Sequence, residues 1–230
     1  MTNIVLVHGL WSDGSSWAQV ITELRSLGHD PVAAQLSLES FDDDVASVRR
    51  TMATVAGPLL LVGWSYGGAV ISTAAVGQPQ VRALAYVAGF APEEGESVSD
   101  LSRRRRGSLI RAHLVITDDH HSYIDRAHFG QVMAHDADPL TVAIAAATQT
   151  LPRIGVDAVP SGRPAWRDMP THYLLATKDR AVPPQTQREM AVRMGAAITE
   201  IDSSHAPMLS RPGDVARFLN SIARSDADAE

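Results

Sequence analysis

The chain has 230 residues, with 20 Lys and Arg against 26 Asp and Glu, a formal net charge of -6 and no cysteine. At this length an apolar content of 45 % supports a single domain with a sizeable core and excludes disorder over most of the chain. The acidic balance argues against nucleic acid as a partner, and the lack of cysteine excludes both a disulfide framework and a thiolate nucleophile.

Residues 3 to 8, NIVLVH, are a continuous aliphatic run, the mark of a strand buried on both faces, and they end in His8-Gly9-Leu10-Trp11. Ser12 to Ser16 read as a turn. Trp17, Val20, Ile21 and Leu24 then recur at helical spacing, and Gly28 ends that helix. Pro31 to Leu36 is a second strand. A helix over Phe41 to Val55 carries Asp42, Asp43 and Asp44 in its first turn, where carboxylates favour the helix dipole, and aligns Val45, Val48, Met52 and Val55 on one stripe. Leu59 to Val62 is a third strand, Gly68 to Val76 opens a helix, and Val81 to Val87 is a fourth strand leading into Ala88-Gly89-Phe90-Ala91-Pro92. This alternation predicts an α/β fold with a mostly parallel sheet wrapped on both faces and catalytic groups at the carboxyl ends of the strands.

From about 92 to 169 the rhythm breaks. The stretch is charged, helical in patches, punctuated by Pro139, Pro152, Pro160 and Pro164, and shows no clear strands, so it reads as a helical cap inserted over the cleft of a single domain spanning 1–230. Arg103 to Arg106 read as a solvated loop. The rhythm returns after Pro170, with Tyr173 to Ala176 as strand, Gln185 to Met194 as helix, Ala197 to Ile201 as strand and Val215 to Ile222 as the last helix. The polar tail Ser225 to Glu230 is expected to fray. A signal core and a membrane-length apolar stretch are both missing, which leads to the expectation of a cytoplasmic protein with no membrane partner.

Chemistry concentrates at Gly63-Trp64-Ser65-Tyr66-Gly67. Between a buried strand and a small-residue helix, this G-x-S-x-G pattern is a nucleophile elbow, with glycines where side chains would stop the turn from closing. A serine hydroxyl needs a base, and the base needs an acid to orient and support it. Asp179, just past the strand in THYLLAT, and His205, in the loop after the last strand, follow in the order that this fold uses. Asp202, Glu93 and Glu94 are the rival acids. The expected oxyanion donors are the backbone N–H groups of Tyr66 and Leu10, and His8 reads as a structural loop histidine rather than a second base. His120, His121, His128 and His135, near Asp125 and Asp136, lack the tight spacing of a zinc site. With no Gly-rich phosphate loop or dinucleotide fingerprint, neither metal nor cofactor is expected.

The blocks VLVHGLWSDGSSW, GWSYGG, ATKDRAVPPQTQ and SSHAPMLSRP resemble the α/β-hydrolase superfamily over nearly the full chain, and within it the small esterase and hydroxynitrile lyase branch, which includes plant methylesterases. The resemblance implies Ser65, Asp179 and His205 as catalytic triad and Leu10 and Tyr66 as oxyanion donors. Two departures matter. Trp64 stands where the branch commonly has His, and Ala206-Pro207-Met208 stand where its lyases carry a lysine, which disfavours lyase chemistry. The expectation is therefore a serine hydrolase of small, uncharged or weakly polar carboxylic esters, its pocket lined by Leu10, Trp11, Trp64, Tyr66, Met208, Phe129, Met133 and Trp166. Lactonase, carbon-carbon bond hydrolase and perhydrolase chemistry on the same triad stay open, as does a ligand-binding protein on a hydrolase scaffold. The oligomeric state is open as well, a homodimer being one option.

Overall fold

In the computed structural model, which describes residues 2 to 227, the long aliphatic runs are strands of one sheet. The strands are β1 (Asn3–Val7), β2 (Asp30–Ala34), β3 (Leu59–Trp64), β4 (Val81–Val87), β5 (Leu114–Ile116), β6 (Ser122–Ile124), β7 (Thr171–Ala176) and β8 (Ala197–Ile201). The main sheet runs β2-β1-β3-β4-β7-β8, with every neighbouring pair parallel. Every residue of β3 is buried, which is why its sequence is a run of aliphatics and not an alternation.

The helices are α1 (Ala18–Ser26), α2 (Phe41–Ala53), α3 (Tyr66–Ala74), α4 (Val98–Arg103), α5 (Ile110–His113), α6 (Phe129–Met133), α7 (Pro139–Ala147), α8 (Pro184–Arg193), α9 (Pro207–Ser210) and α10 (Pro212–Ala227). Right-handed crossovers in this strand order put α1 with α10 on one face of the sheet and α2, α3 and α8 on the other, and α1 does pack on α10 and α2 on α3. The strand order reverses between β1 and β3. A crevice opens there at the carboxyl ends of the strands, the usual place for a site in such sheets.

Three differences from the sequence reading concern the elbow, the last helix and the segment between β4 and β7. The elbow strand continues to Trp64 and α3 starts at Tyr66, so the turn between them is a single residue, Ser65. The last helix spans Pro212–Ala227, so the first half of the tail expected to fray is helical, while 228–230 lie outside the described residues. The segment between β4 and β7 also holds strands that were not expected, the antiparallel pair β5 and β6. Each is only three residues long. Their turn is held by Thr117, whose hydroxyl accepts the His121 N–H at 3.0 Å, a signal too local and too polar to stand out among charged neighbours.

This inserted segment is tied to the crevice. Trp11 Nε1–H donates to Ser122 Oγ at 3.2 Å, Thr150 Oγ1 to the Ser12 carbonyl at 2.6 Å, and the Arg153 N–H to the Leu38 carbonyl at 2.9 Å. Within the arginine run, Arg104 and Arg105 pair with Glu96 and Glu189. Among the described residues no helix is long and apolar enough to cross a membrane.

Candidate active site

Ser65 has φ 54° and ψ -124°, a left-handed φ that a side chain disfavours. Its neighbours hold it there. The Ser65 N–H donates to the Val87 carbonyl at 3.2 Å, and its own carbonyl accepts from Gly68 at 3.0 Å and Phe90 at 2.9 Å. Three glycines let the backbone converge on it: a β-carbon at Gly63 would lie 2.5 Å from the Gly67 carbonyl oxygen, one at Gly67 2.6 Å from the His8 carbonyl oxygen, and one at Gly9 2.8 Å from Ser65 Cβ. The role of Gly9 had no local signal beyond its place after β1.

Asp179 and His205 reach the same point from the loops after β7 and β8. His205 Nε2 lies 2.9 Å from Ser65 Oγ, and its Nδ1 lies 2.6 Å from Asp179 Oδ2. A carboxylate accepts, so the imidazole proton sits on Nδ1, and the Nε2 lone pair faces the serine hydroxyl. Asp179 Oδ1 also accepts the N–H groups of Ala181 and Val182 at 2.7 and 2.8 Å, and its Oδ2 accepts Gln187 Nε2 at 2.8 Å. Gln187 is fully buried, and its side-chain oxygen takes the Ala176 N–H at 3.0 Å, so it fixes the acid to the end of β7. Nothing in the sequence marks Gln187, because its role depends on α8 folding back over that strand.

Trp64 does more than line a pocket. Its Nε1–H donates to the His205 carbonyl at 2.8 Å and its ring centroid lies 5.5 Å from that of His205, so the residue before Ser65 also holds the His205 loop.

Tyr66 is the first residue of α3, where an N–H has no partner within the helix and is free to face a ligand. Its ring turns into the core and not into the crevice, contrary to the expected pocket. The hydroxyl donates to Asp44 Oδ2 at 2.9 Å, and the ring packs edge-on against Phe41 at 6.1 Å. Asp44 was read as a dipole carboxylate in the first turn of α2, yet it is fully buried. Its Oδ1 accepts the Leu38 N–H at 2.9 Å and the Ser37 hydroxyl at 3.3 Å. Burial raises the Asp44 carboxyl above the ordinary carboxylate range, while these hydrogen bonds pull it back.

Leu10 follows Gly9 in the loop that His8 anchors. His8 Nε2 accepts the Leu36 N–H at 3.0 Å, which leaves Nδ1–H to donate to the Gly9 carbonyl at 2.9 Å. Both nitrogens are engaged, so His8 is a brace. Burial holds its pKa below the ordinary histidine value, against an opposing push from the Gly9 carbonyl. Below about pH 6.5 the unfolded chain therefore binds a proton that the folded chain refuses, and His8 costs stability as pH falls. Wild-type stability is expected to drop by up to about 1.4 kcal/mol per pH unit more steeply than that of His8→Gln between about pH 6.5 and 5. Urea melts across that window test this, and parallel curves for the two proteins would refute it.

A cavity of about 260 Å³ opens beside the elbow, with Trp11, Trp64, Phe129, Ile144 and Met208 on its apolar side and serines, threonines, Gln19 and Asp13 on its polar side. Trp11, Trp64, Met208 and Phe129, all expected in the pocket, line this cavity, whereas Leu10, expected with them, does not. Met133 and Trp166 are not in this wall: Met133 is buried and its carbonyl takes the Ala206 N–H, while Trp166 donates to the Pro92 carbonyl. Of the three rival acids, Asp202 pairs with Lys178 Nζ at 2.7 Å, Glu93 pairs with Arg167 at 2.8 Å, and Glu94 is exposed. His121 sits between Glu39 and Asp119, and His128 stacks on His113 with centroids 4.1 Å apart.

Residues 4–218 match the family model described as alpha/beta hydrolase family. The chain belongs to the alpha/beta hydrolase family. It is similar to an alpha/beta hydrolase of Aspergillus novofumigatus, at 25 % identity over 241 residues and 96 % of each chain. It is also similar to a carbendazim hydrolyzing esterase of a Nocardioides species, at 33 % identity over 115 residues, 44 % of this chain and 47 % of that protein. Among solved structures, a pyrethroid hydrolase of Sphingobium faniae superposes with a TM-score of 0.82 at 22 % identity, covering 99 % of each chain, a likeness of fold.

Proposed function

We propose that the protein is a serine hydrolase of small, neutral carboxylic esters. The observation that carries this reading is the unbroken line from Ser65 Oγ through His205, at 2.9 Å, to Asp179, at 2.6 Å, next to an apolar cavity. In this reading His205 takes the Ser65 proton as the hydroxyl attacks the ester carbonyl. The oxyanion then forms against the N–H groups of Tyr66 and Leu10. His205, now an imidazolium supported by Asp179, returns its proton to the departing alcohol, and the same nitrogen then activates water to clear the acyl-enzyme.

The substrate class follows from the cavity wall. Among the described residues that line it, Asp13 is the one charged side chain, so an anionic substrate would meet repulsion and no cation. The segment between β4 and β7, which supplies Phe129 and Ile144, acts in this proposal as the cap that selects the substrate. An esterase among the relatives supports the reaction type.

The test pairs a series of short p-nitrophenyl esters with fluorophosphonate labelling read by intact mass. Expected are turnover of neutral esters, one adduct per chain at Ser65, and a kcat/KM for the hemisuccinate ester at least about tenfold below that of the butyrate. A folded protein that takes no label and turns over no ester would remove the proposal.

A further inference from the structure

A triad needs its members held to within roughly half an ångström, yet Asp179 and His205 both sit on loops, and loops drift unless something outside them fixes their peptide groups. Three residues of the inserted segment, Met133 at the end of α6 and His135 and Asp136 just after it, do this for both loops. The Met133 carbonyl accepts the N–H of Ala206, the residue after the base, at 3.0 Å. Asp136 Oδ2 accepts the N–H of Ser204, the residue before the base, at 3.1 Å, and the same oxygen accepts Ser210 Oγ at 3.0 Å. His135 Nε2 donates to the carbonyl of Lys178, the residue before the acid, at 2.9 Å. The two loops are also joined to each other, the Lys178 N–H donating to the Ser203 carbonyl at 3.0 Å.

We propose that residues 133–136 are a positioning clamp, in which Asp136 and His135 set the relative placement of His205 and Asp179 from within the inserted segment. The proposal rests on the serine-hydrolase reading of Ser65, His205 and Asp179. The clamp begins at the cavity wall, because α6 starts at Phe129, which lines the cavity, and ends at Met133, which holds the base's loop. One short helix therefore links the surface that would touch the substrate to the groups that would react with it.

Both side chains act as hydrogen-bonding groups on peptide units, so the conservative variant is informative. Asp136→Asn keeps an oxygen that can accept from Ser204 and Ser210, whereas Asp136→Ala keeps none. Asp136→Ala is expected to lower kcat by about three- to tenfold with KM within about twofold, and to slow fluorophosphonate labelling of Ser65 by the same factor. Asp136→Asn should restore both rates to within about twofold of wild type. His135→Ala should show the same kcat-only loss, and the double variant should lose about tenfold or more.

Melting curves fix an assay temperature at which each variant is fully folded. At that temperature a purely structural residue would leave kcat and labelling at wild-type values, and that result would overturn the clamp. So would a loss confined to KM, or an Asp136→Asn as slow as Asp136→Ala. If Asp136→Ala does not fold, His135→Ala decides, and wild-type kcat there overturns the proposal. The hydrolase reading fails separately, through ester turnover or labelling that survives in Ser65→Ala.

Discussion

Ser65→Ala is expected to lower kcat for ester hydrolysis by roughly 10⁴ to 10⁶, with the protein folded and its melting midpoint within a few degrees of wild type. Alanine, like serine, carries a β-carbon, so the left-handed backbone at φ 54° is neither relieved nor strained further. What is lost is the hydroxyl 2.9 Å from His205 Nε2, while the imidazole stays bonded to Asp179 and the His205 carbonyl to Trp64 Nε1–H. The residual rate would come from the backbone donors and the cavity. His205→Ala should lose a similar factor, and the two together little more than either alone, since nucleophile and base act as a unit. Single-turnover kinetics with a chromogenic ester measure all three. A Ser65→Ala protein retaining more than about a hundredth of wild-type kcat would rule out the serine as nucleophile.

Gly67→Ala should damage stability and rate together. The added methyl would lie 2.6 Å from the His8 carbonyl oxygen, 2.7 Å from the Val7 carbonyl oxygen and 3.1 Å from the Val7 carbonyl carbon. All three are backbone atoms at the end of β1, which cannot rotate aside as a side chain would. Either α3 lifts from the sheet or the loop after β1 retreats. Both moves separate the two N–H groups proposed as oxyanion donors, Tyr66 at the head of α3 and Leu10 in that loop. Overpacking of this kind costs about 1–3 kcal/mol, and a displacement near one ångström at the reacting centre costs about 10² in kcat. Gly162→Ala is the control, since a β-carbon there meets nothing within 4 Å. Thermal melts and kcat for the pair test this. A Gly67→Ala protein as stable and active as Gly162→Ala would mean that the close approach of α3 to β1 is not required.

The sequence by itself determined the sheet and singled out Ser65, Asp179 and His205, which the fold brings together at the candidate site. Strands buried on both faces must be largely apolar, so β1 from Ile4, β3, and β4 from Ala83 stand out as runs that no solvent-facing element would tolerate. The elbow is legible for a similar reason: a turn of one residue between strand and helix needs glycine at 63 and 67, and that need is local. Asp179 and His205 could be picked out because each closely follows a recognisable strand. Only the tertiary structure decided what holds these groups in place. Trp64 meets His205 across 141 positions of chain, Asp136 meets Ser204 across 68, and Tyr66 meets Asp44 across 22. Asp44 sits in a first turn beside Asp42 and Asp43 and looks the same as they do, yet it alone of the three is buried, because Tyr66, Leu38 and Ser37 converge on it. Periodicity and turn chemistry act over a few residues, so they write themselves into the sequence. Hydrogen bonds between loops form only after the sheet has brought the loops together, and they leave no pattern in the sequence.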